Sequence, residues 1–153
     1  MKRLTISFLS LYIALGATSC ASRPPEMEMI EAKDLLVEYR LGGEFGLIYH
    51  HVPSLQVAID GMAIKRFPSE GTMTTVQLDA TALDVLNRKI SDAQFATLQP
   101  VYTSGSSYDQ PVYDITVQID QRRYDVSIDS DPDVMYPDGL RTLLTTLQDL
   151  AQP

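Results

Sequence analysis

The chain has 153 residues, 44% of them hydrophobic, with a formal net charge of −8, one cysteine and no tryptophan. That length suits a single domain with a core of its own, and a lone cysteine excludes an intramolecular disulfide as a staple. The acidic balance offers no electrostatic footprint for nucleic acid, and anionic headgroups would repel it.

Lys2 and Arg3 precede an apolar run from Leu4 to Ala14, and Ala17-Thr18-Ser19-Cys20 closes the segment. The run fits the roughly 7–15 residue core of a secretory signal and falls short of the ~20 residues of a bilayer span. Small residues ending on a cysteine resemble the box of bacterial lipoprotein signals, with Ala17 where leucine is usual. The resemblance implies a signal peptide over residues 1–19 and lipid attachment at Cys20; an ordinary secreted protein cleaved near Ser19 is the alternative. Ala21 stands where Gram-negative lipoproteins kept at the inner membrane carry Asp. It therefore implies the periplasmic side of the outer membrane. Loss of Lys2 and Arg3 takes the charge from −8 to −10, so the lipid on Cys20 would be the membrane hold. Residues 20–33 read as the lipidated cysteine and a tether, stiffened by Pro24-Pro25 and kept extended by Glu26, Glu28 and Glu31.

Residues 34–151 read as one domain. Leu35, Val37, Tyr39 and Leu41 alternate with Glu38 and Arg40, the period of a half-buried strand. Gly42-Gly43 breaks the chain before Phe45 to Tyr49 resumes it. The next arms, Leu55 to Ile59 and Met62 to Ile64, flank Asp60-Gly61, a hairpin signal. A two-residue loop there would pair Ile59 with Met62 and Val57 with Ile64, all on one face. Met73 to Leu78 is a further strand. Asp79 opens a helix carrying Ala82, Leu83, Val85 and Leu86, and Ser91-Asp92-Ala93-Gln94 reads as a capping box for a second short helix through Phe95 and Leu98, stopped by Pro100. Tyr113, Ile115, Val117 and Ile119 alternate with Asp114, Thr116, Gln118 and Asp120. A Gln121-Arg122 loop would return the chain through Tyr124, Val126 and Ile128, setting Asp120 opposite Arg123. Leu140, Leu143, Leu144, Leu147 and Leu150 form the stripe of a terminal helix over Gly139 to Ala151. The order of elements predicts an α+β fold: a mainly antiparallel sheet built from hairpins, with helices packed on one face.

Few residues point to chemistry. His50 and His51 are neighbours, which on a strand face opposite ways and cannot readily share a metal; a strand end exposing one ring is the plainer reading. Asp129, Asp131 and Asp133 imitate a calcium loop, but Val134 stands where the turn needs Gly and Leu140 where the loop needs Glu. A solvated acidic connection fits better, with Asp138 placed to favour the following helix. No Gly-x-Ser-x-Gly, Ser-x-x-Lys or His-Glu-x-x-His pattern occurs. The expectation is therefore a non-enzymatic protein without a cofactor. Tyr102, Ser104, Ser106 and Tyr108, with Gly105 between them, have the composition of an adaptable recognition loop; the competing reading folds the tyrosines back on the sheet.

Gly42-Gly43-Glu44-Phe45-Gly46, Ala93-Gln94-Phe95-Ala96-Thr97-Leu98-Gln99-Pro100, Tyr113-Asp114-Ile115-Thr116-Val117 and Pro137-Asp138-Gly139-Leu140 with Leu143-Leu144 together resemble motifs of emfourin-like proteins, small inhibitors of thermolysin-type metalloproteases. The Asp60-Gly61 hairpin and the lipid signal depart from the inhibitor pattern, and no reactive-site residue carries over. Three functions are expected on these grounds. The first is an anchored domain binding a protein or peptide partner of the envelope. The second is an inhibitor whose partner is a metalloprotease, and the third a carrier of a small ligand in an apolar pocket between sheet and helices.

Overall fold

A computed structural model of the chain describes residues 29–42, 53–67, 71–104 and 111–152. The elements run β1 (Leu35–Leu41), β2 (Leu55–Ala58), β3 (Met62–Phe67), β4 (Thr72–Gln77), α1 (Ala80–Asp92), a 3-10 turn (Phe95–Thr97), β5 (Val101–Tyr102), β6 (Val112–Ile119), β7 (Arg122–Asp129) and α2 (Asp138–Ala151). They form one sheet in the order β4-β3-β2-β1-β6-β7-β5. Every neighbouring pair is antiparallel except β5 with β7. The α+β fold expected from the hairpins is the fold observed. The signal segment, Cys20 and the strand expected over Phe45 to Tyr49 lie outside the described residues.

Both helices cover the face carrying Val37, Tyr39, Leu55, Val57, Ala63, Ile115, Val117, Val126 and Ile128. Leu86 and Ile90 of α1 and Leu140, Leu143, Leu144 and Leu147 of α2 close that core. Asp79 caps α1 by accepting a 2.8 Å hydrogen bond from the Ala82 amide, satisfying one of the helix's orphan donors. The capping-box reading of Ser91 fails: Ser91 and Asp92 are the last residues of α1, and Gln94, at φ 51°, ends it in the left-handed region. The chain then enters the 3-10 turn, which buries Phe95.

The face of Leu35 and the registers of two hairpins differ from expectation, each for a local backbone reason. A bulge between Leu35 and Val37 slips the β1–β2 pairing, so Leu35 joins Ile30, Ala58 and Ile64 on the face away from the helices. Ile30, expected in the tether, is buried there. The Asp60-Gly61 turn is also one residue longer than expected. The Gly61 amide donates to Ala58 O, Gly61 sits at φ 88°, and Ile59 and Asp60 keep negative φ. That is a three-residue loop with a glycine bulge, and Val57 pairs with Ala63 rather than Ile64. Ile59 is left 58% exposed and Ile64 turns to the far face.

The β6–β7 turn is Asp120-Gln121, both at positive φ (50° and 64°), and Ile119 pairs with Arg122. The pairing lies two residues from the expected one, so the apolar face survives while Asp120 no longer opposes Arg123. Arg123 instead pairs with Asp125 at 2.8 Å. A left-handed non-glycine residue costs about 1–2 kcal/mol. Gln121→Gly should therefore raise stability by up to about 1 kcal/mol, less the entropy glycine adds to the unfolded chain; an unchanged or lower urea midpoint would refute the turn assignment.

Candidate functional site

The antiparallel order gathers several loops at one end of the sheet. The chain leaves β1 at Leu41, β3 at Phe67, β5 at Tyr102 and β7 at Asp129 on that end, and enters β2, β4 and β6 from it. Leu41, Tyr113, Ile128 and Tyr102 lie in one row across β1, β6, β7 and β5. The described ends of these connections therefore lie together at one end of the sheet, an arrangement in which binding residues are commonly carried.

Aromatic rings line the same end. Tyr39 and Tyr113 stack with centroids 6.4 Å apart and planes at 23°. Tyr102 and Tyr136 meet at 6.1 Å with a tilt of 59°, and the Arg141 guanidinium sits 4.6 Å over the Tyr136 ring, within cation–π range. Phe67 continues the series on β3, beside an open recess of about 470 Å³ bounded by Tyr39, Leu41, Arg66, Phe67, Tyr113 and the end of α2. Burial, with Tyr113 nearby, pushes the Tyr39 phenol up to about 12 against the opposing hydrogen bond of Gln148. Tyr39 is thus a neutral wall of the recess at any physiological pH.

The structure divides the expected recognition residues. Tyr102 is not on a loop: it forms β5, is half-buried, and its hydroxyl accepts a hydrogen bond from the Gln99 amide at 3.2 Å. Parallel pairing with β7 over two residues is too short to be read from sequence. Ser104 is exposed, and its hydroxyl donates to Asp131 at 2.7 Å. Ser106, Tyr108, His50 and His51 lie outside the described residues. Asp131 also accepts from the Asp133 amide at 2.9 Å, so this carboxylate ties its own turn to the segment after β5. Among the described residues no group of three His, Cys, Asp or Glu side chains could hold a metal ion. No helix there is long and apolar enough to cross a membrane.

The face away from the helices carries a polar row. Gln56, Glu38, Thr116 and Asp125 are successive partners across β2, β1, β6 and β7. Glu38 is 5% exposed. One of its oxygens accepts from Arg40 Nε at 2.7 Å and the other from Gln56 Nε2 at 2.8 Å. Gln56 Oε1 in turn accepts from Arg66 Nη1 at 3.2 Å and the Ile30 amide at 3.4 Å. Burial lowers the Arg66 pKa from its ordinary value, opposed by the charge of Glu38. For Asp125 burial acts upward, but hydrogen bonds from Arg123 and Thr116 and the charges of Arg123 and Arg40 prevail and hold it below the usual carboxylate range. Alternation in the sequence placed Glu38 and Arg40 on the outer side of β1; that Glu38, Gln56 and Arg66 interlock in burial had no sequence signal.

A second concavity, about 420 Å³ in volume, opens between the end of α1 and the β6–β7 hairpin, walled by Leu36, Ile90, Phe95, Ile119 and Tyr124. Comparison with protein-family models and with curated proteins gives no match for this chain.

Proposed function

We propose that this chain is a lipid-anchored, non-enzymatic binding domain of the bacterial envelope, held through Cys20 on the periplasmic side of the outer membrane and presenting the loop end of its sheet to a protein or peptide partner. The observation that carries the reading is the aromatic end wall of Phe67, Tyr39, Tyr113, Tyr102 and Tyr136, gathered where the loops leave the scaffold. Tyrosine supplies contact area at low entropic cost and is enriched where protein surfaces meet. The signal-like segment ending on Cys20 supports the anchor.

Two experiments test it. Immobilised chain should retain a specific component of an envelope extract across a range of salt, and retention of nothing specific would count against a partner. Cys20→Ser should move the chain from the membrane to the soluble fraction while leaving its circular dichroism unchanged; a variant that still sediments with outer membrane is anchored by something else.

A metalloprotease as partner is implied by the resemblance to emfourin-like inhibitors. Stoichiometric loss of thermolysin-type activity would support that narrower reading, and no effect at micromolar chain would end it. The 420 Å³ concavity favours a carrier role as a second reading, since its volume and apolar walls suit a small hydrophobic ligand.

A further inference from the structure

The two edges of the sheet are managed differently. At one end lies β5, only two residues long and preceded by Pro100, a common way to keep an edge from pairing. At the other end lies β4, Thr72-Met73-Thr74-Thr75-Val76-Gln77, exposed at all six positions. It holds no charge and no proline, and its register with β3 runs unbroken from Met62–Gln77 to Phe67–Thr72. Its composition is that of a good strand former, and none of the usual devices blunts it.

The direction of its free hydrogen-bonding groups follows from the ladder. The Arg66 amide donates to Ser54 O on the β2 side, and the Leu78 amide donates to Gly61 O on the β4 side. Antiparallel pairs alternate between hydrogen-bonded and non-hydrogen-bonded. Thr72, Thr74 and Val76 therefore bond inward to β3, and Met73, Thr75 and Gln77 aim their N–H and C=O groups outward. We infer that β4 is a self-association edge, at which a second copy of this chain adds its own β4 antiparallel about a two-fold axis through Thr75.

That register satisfies every outward group: Thr75 exchanges both hydrogen bonds with its counterpart, and Met73 exchanges both with Gln77 of the other copy. Side chains then meet as Thr75 with Thr75 on the face away from the helices and Thr74 with Val76 on the helix face. Threonine–threonine pairs are favourable across strands, threonine and valine both suit a pleated surface, and no like charges oppose each other in a chain whose formal charge is otherwise −8. A foreign strand would find no charged handle or side-chain pocket on β4 to select it, whereas a second copy matches it group for group. The two-fold closes the assembly as a dimer, because β5 offers no comparable edge.

The test uses the full chain. Sedimentation should show a reversible monomer–dimer equilibrium. Thr75→Lys and Thr75→Glu, at an exposed position, should each remain folded and monomeric by placing like charges across the axis, and an equimolar mixture of the two should recover the dimer. In a Cys20→Ser background, otherwise free of thiols, Thr75→Cys should form a disulfide-linked dimer on mild oxidation and Thr74→Cys should not, because hydrogen-bonded partners hold their Cα atoms about 5.5 Å apart, within disulfide range. A wild-type chain that stays monomeric at all concentrations with no Thr75→Cys cross-link would overturn the inference. So would a dimer indifferent to Thr75→Lys.

Discussion

Replacing Gly139 by alanine is expected to destabilise the domain by about 2 kcal/mol, toward the middle of the range for overpacking. In an ordinary helix the same change gains about 1 kcal/mol, so the sign alone is diagnostic. Gly139 lies in the first turn of α2 where it crosses the last turn of α1. A Cβ built there stands 2.5 Å from the Asp92 carbonyl oxygen and 3.0 Å from the carbonyl carbon. Both are backbone atoms, which cannot swing aside as a side chain would. Relief requires the helices to separate at the point where Ala93, Leu140 and Leu143 pack. The check is the urea midpoint, which falls if the close approach is real; a midpoint that stays or rises would show that the helices are not in contact there.

The second large effect is expected at Glu38. Removing one member of a buried ionic cluster leaves the others without compensation and costs about 3–5 kcal/mol. Glu38→Ala takes the acceptor from Gln56 Nε2 and the charge that offsets the burial of Arg66, on a face where both are at least 95% buried. Arg40, its side chain 28% exposed, is nearer to water and adds less. Glu38→Gln keeps the volume and an acceptor for Gln56 and should cost less. Asp125→Ala serves as the contrast: Asp125 pairs with Arg123, but their side chains are 57% and 61% exposed, and such pairs contribute under about 1 kcal/mol. Equal losses from Glu38→Ala and Asp125→Ala in denaturant unfolding would mean that the inner half of the polar row is as solvated as the outer half.

Much of the fold was legible because it is written in periodicity. The stripe Leu140, Leu143, Leu144 and Leu147 admits one helix face, and Ile115 and Val117 could only point at the core. Registers were less legible because hydrophobic alternation constrains them only to multiples of two. The β6–β7 turn moved by one residue and its pairing by two, at no cost to the core, whereas at Asp60-Gly61 a glycine bulge moved the pairing by one and exposed Ile59. Only φ at Ile59, Asp60 and Gly61 separates a two-residue from a three-residue loop, and Asp-Gly is compatible with both. The site was least legible. Its rings come from four strands and the connection before α2, and Tyr102 looked like part of the loop after it because parallel pairing with β7 leaves no mark in two residues. Of the motifs quoted from the inhibitor resemblance, Leu140, Leu143 and Leu144 do core work and Gly139 allows the helix crossing, roles that any sheet-and-helix domain could require.

Site-specific photo-crosslinking in intact cells addresses the binding role most directly. A photoreactive side chain at Leu41, 46% exposed on the rim of the recess, or at Ser104, which follows β5 at the same end of the sheet, should trap a discrete partner. The same group at Gln121, in the hairpin at the opposite end of the sheet, should trap none. The same adduct from Leu41, Ser104 and Gln121, or no adduct from any of them, would contradict a partner held at the aromatic end of the sheet.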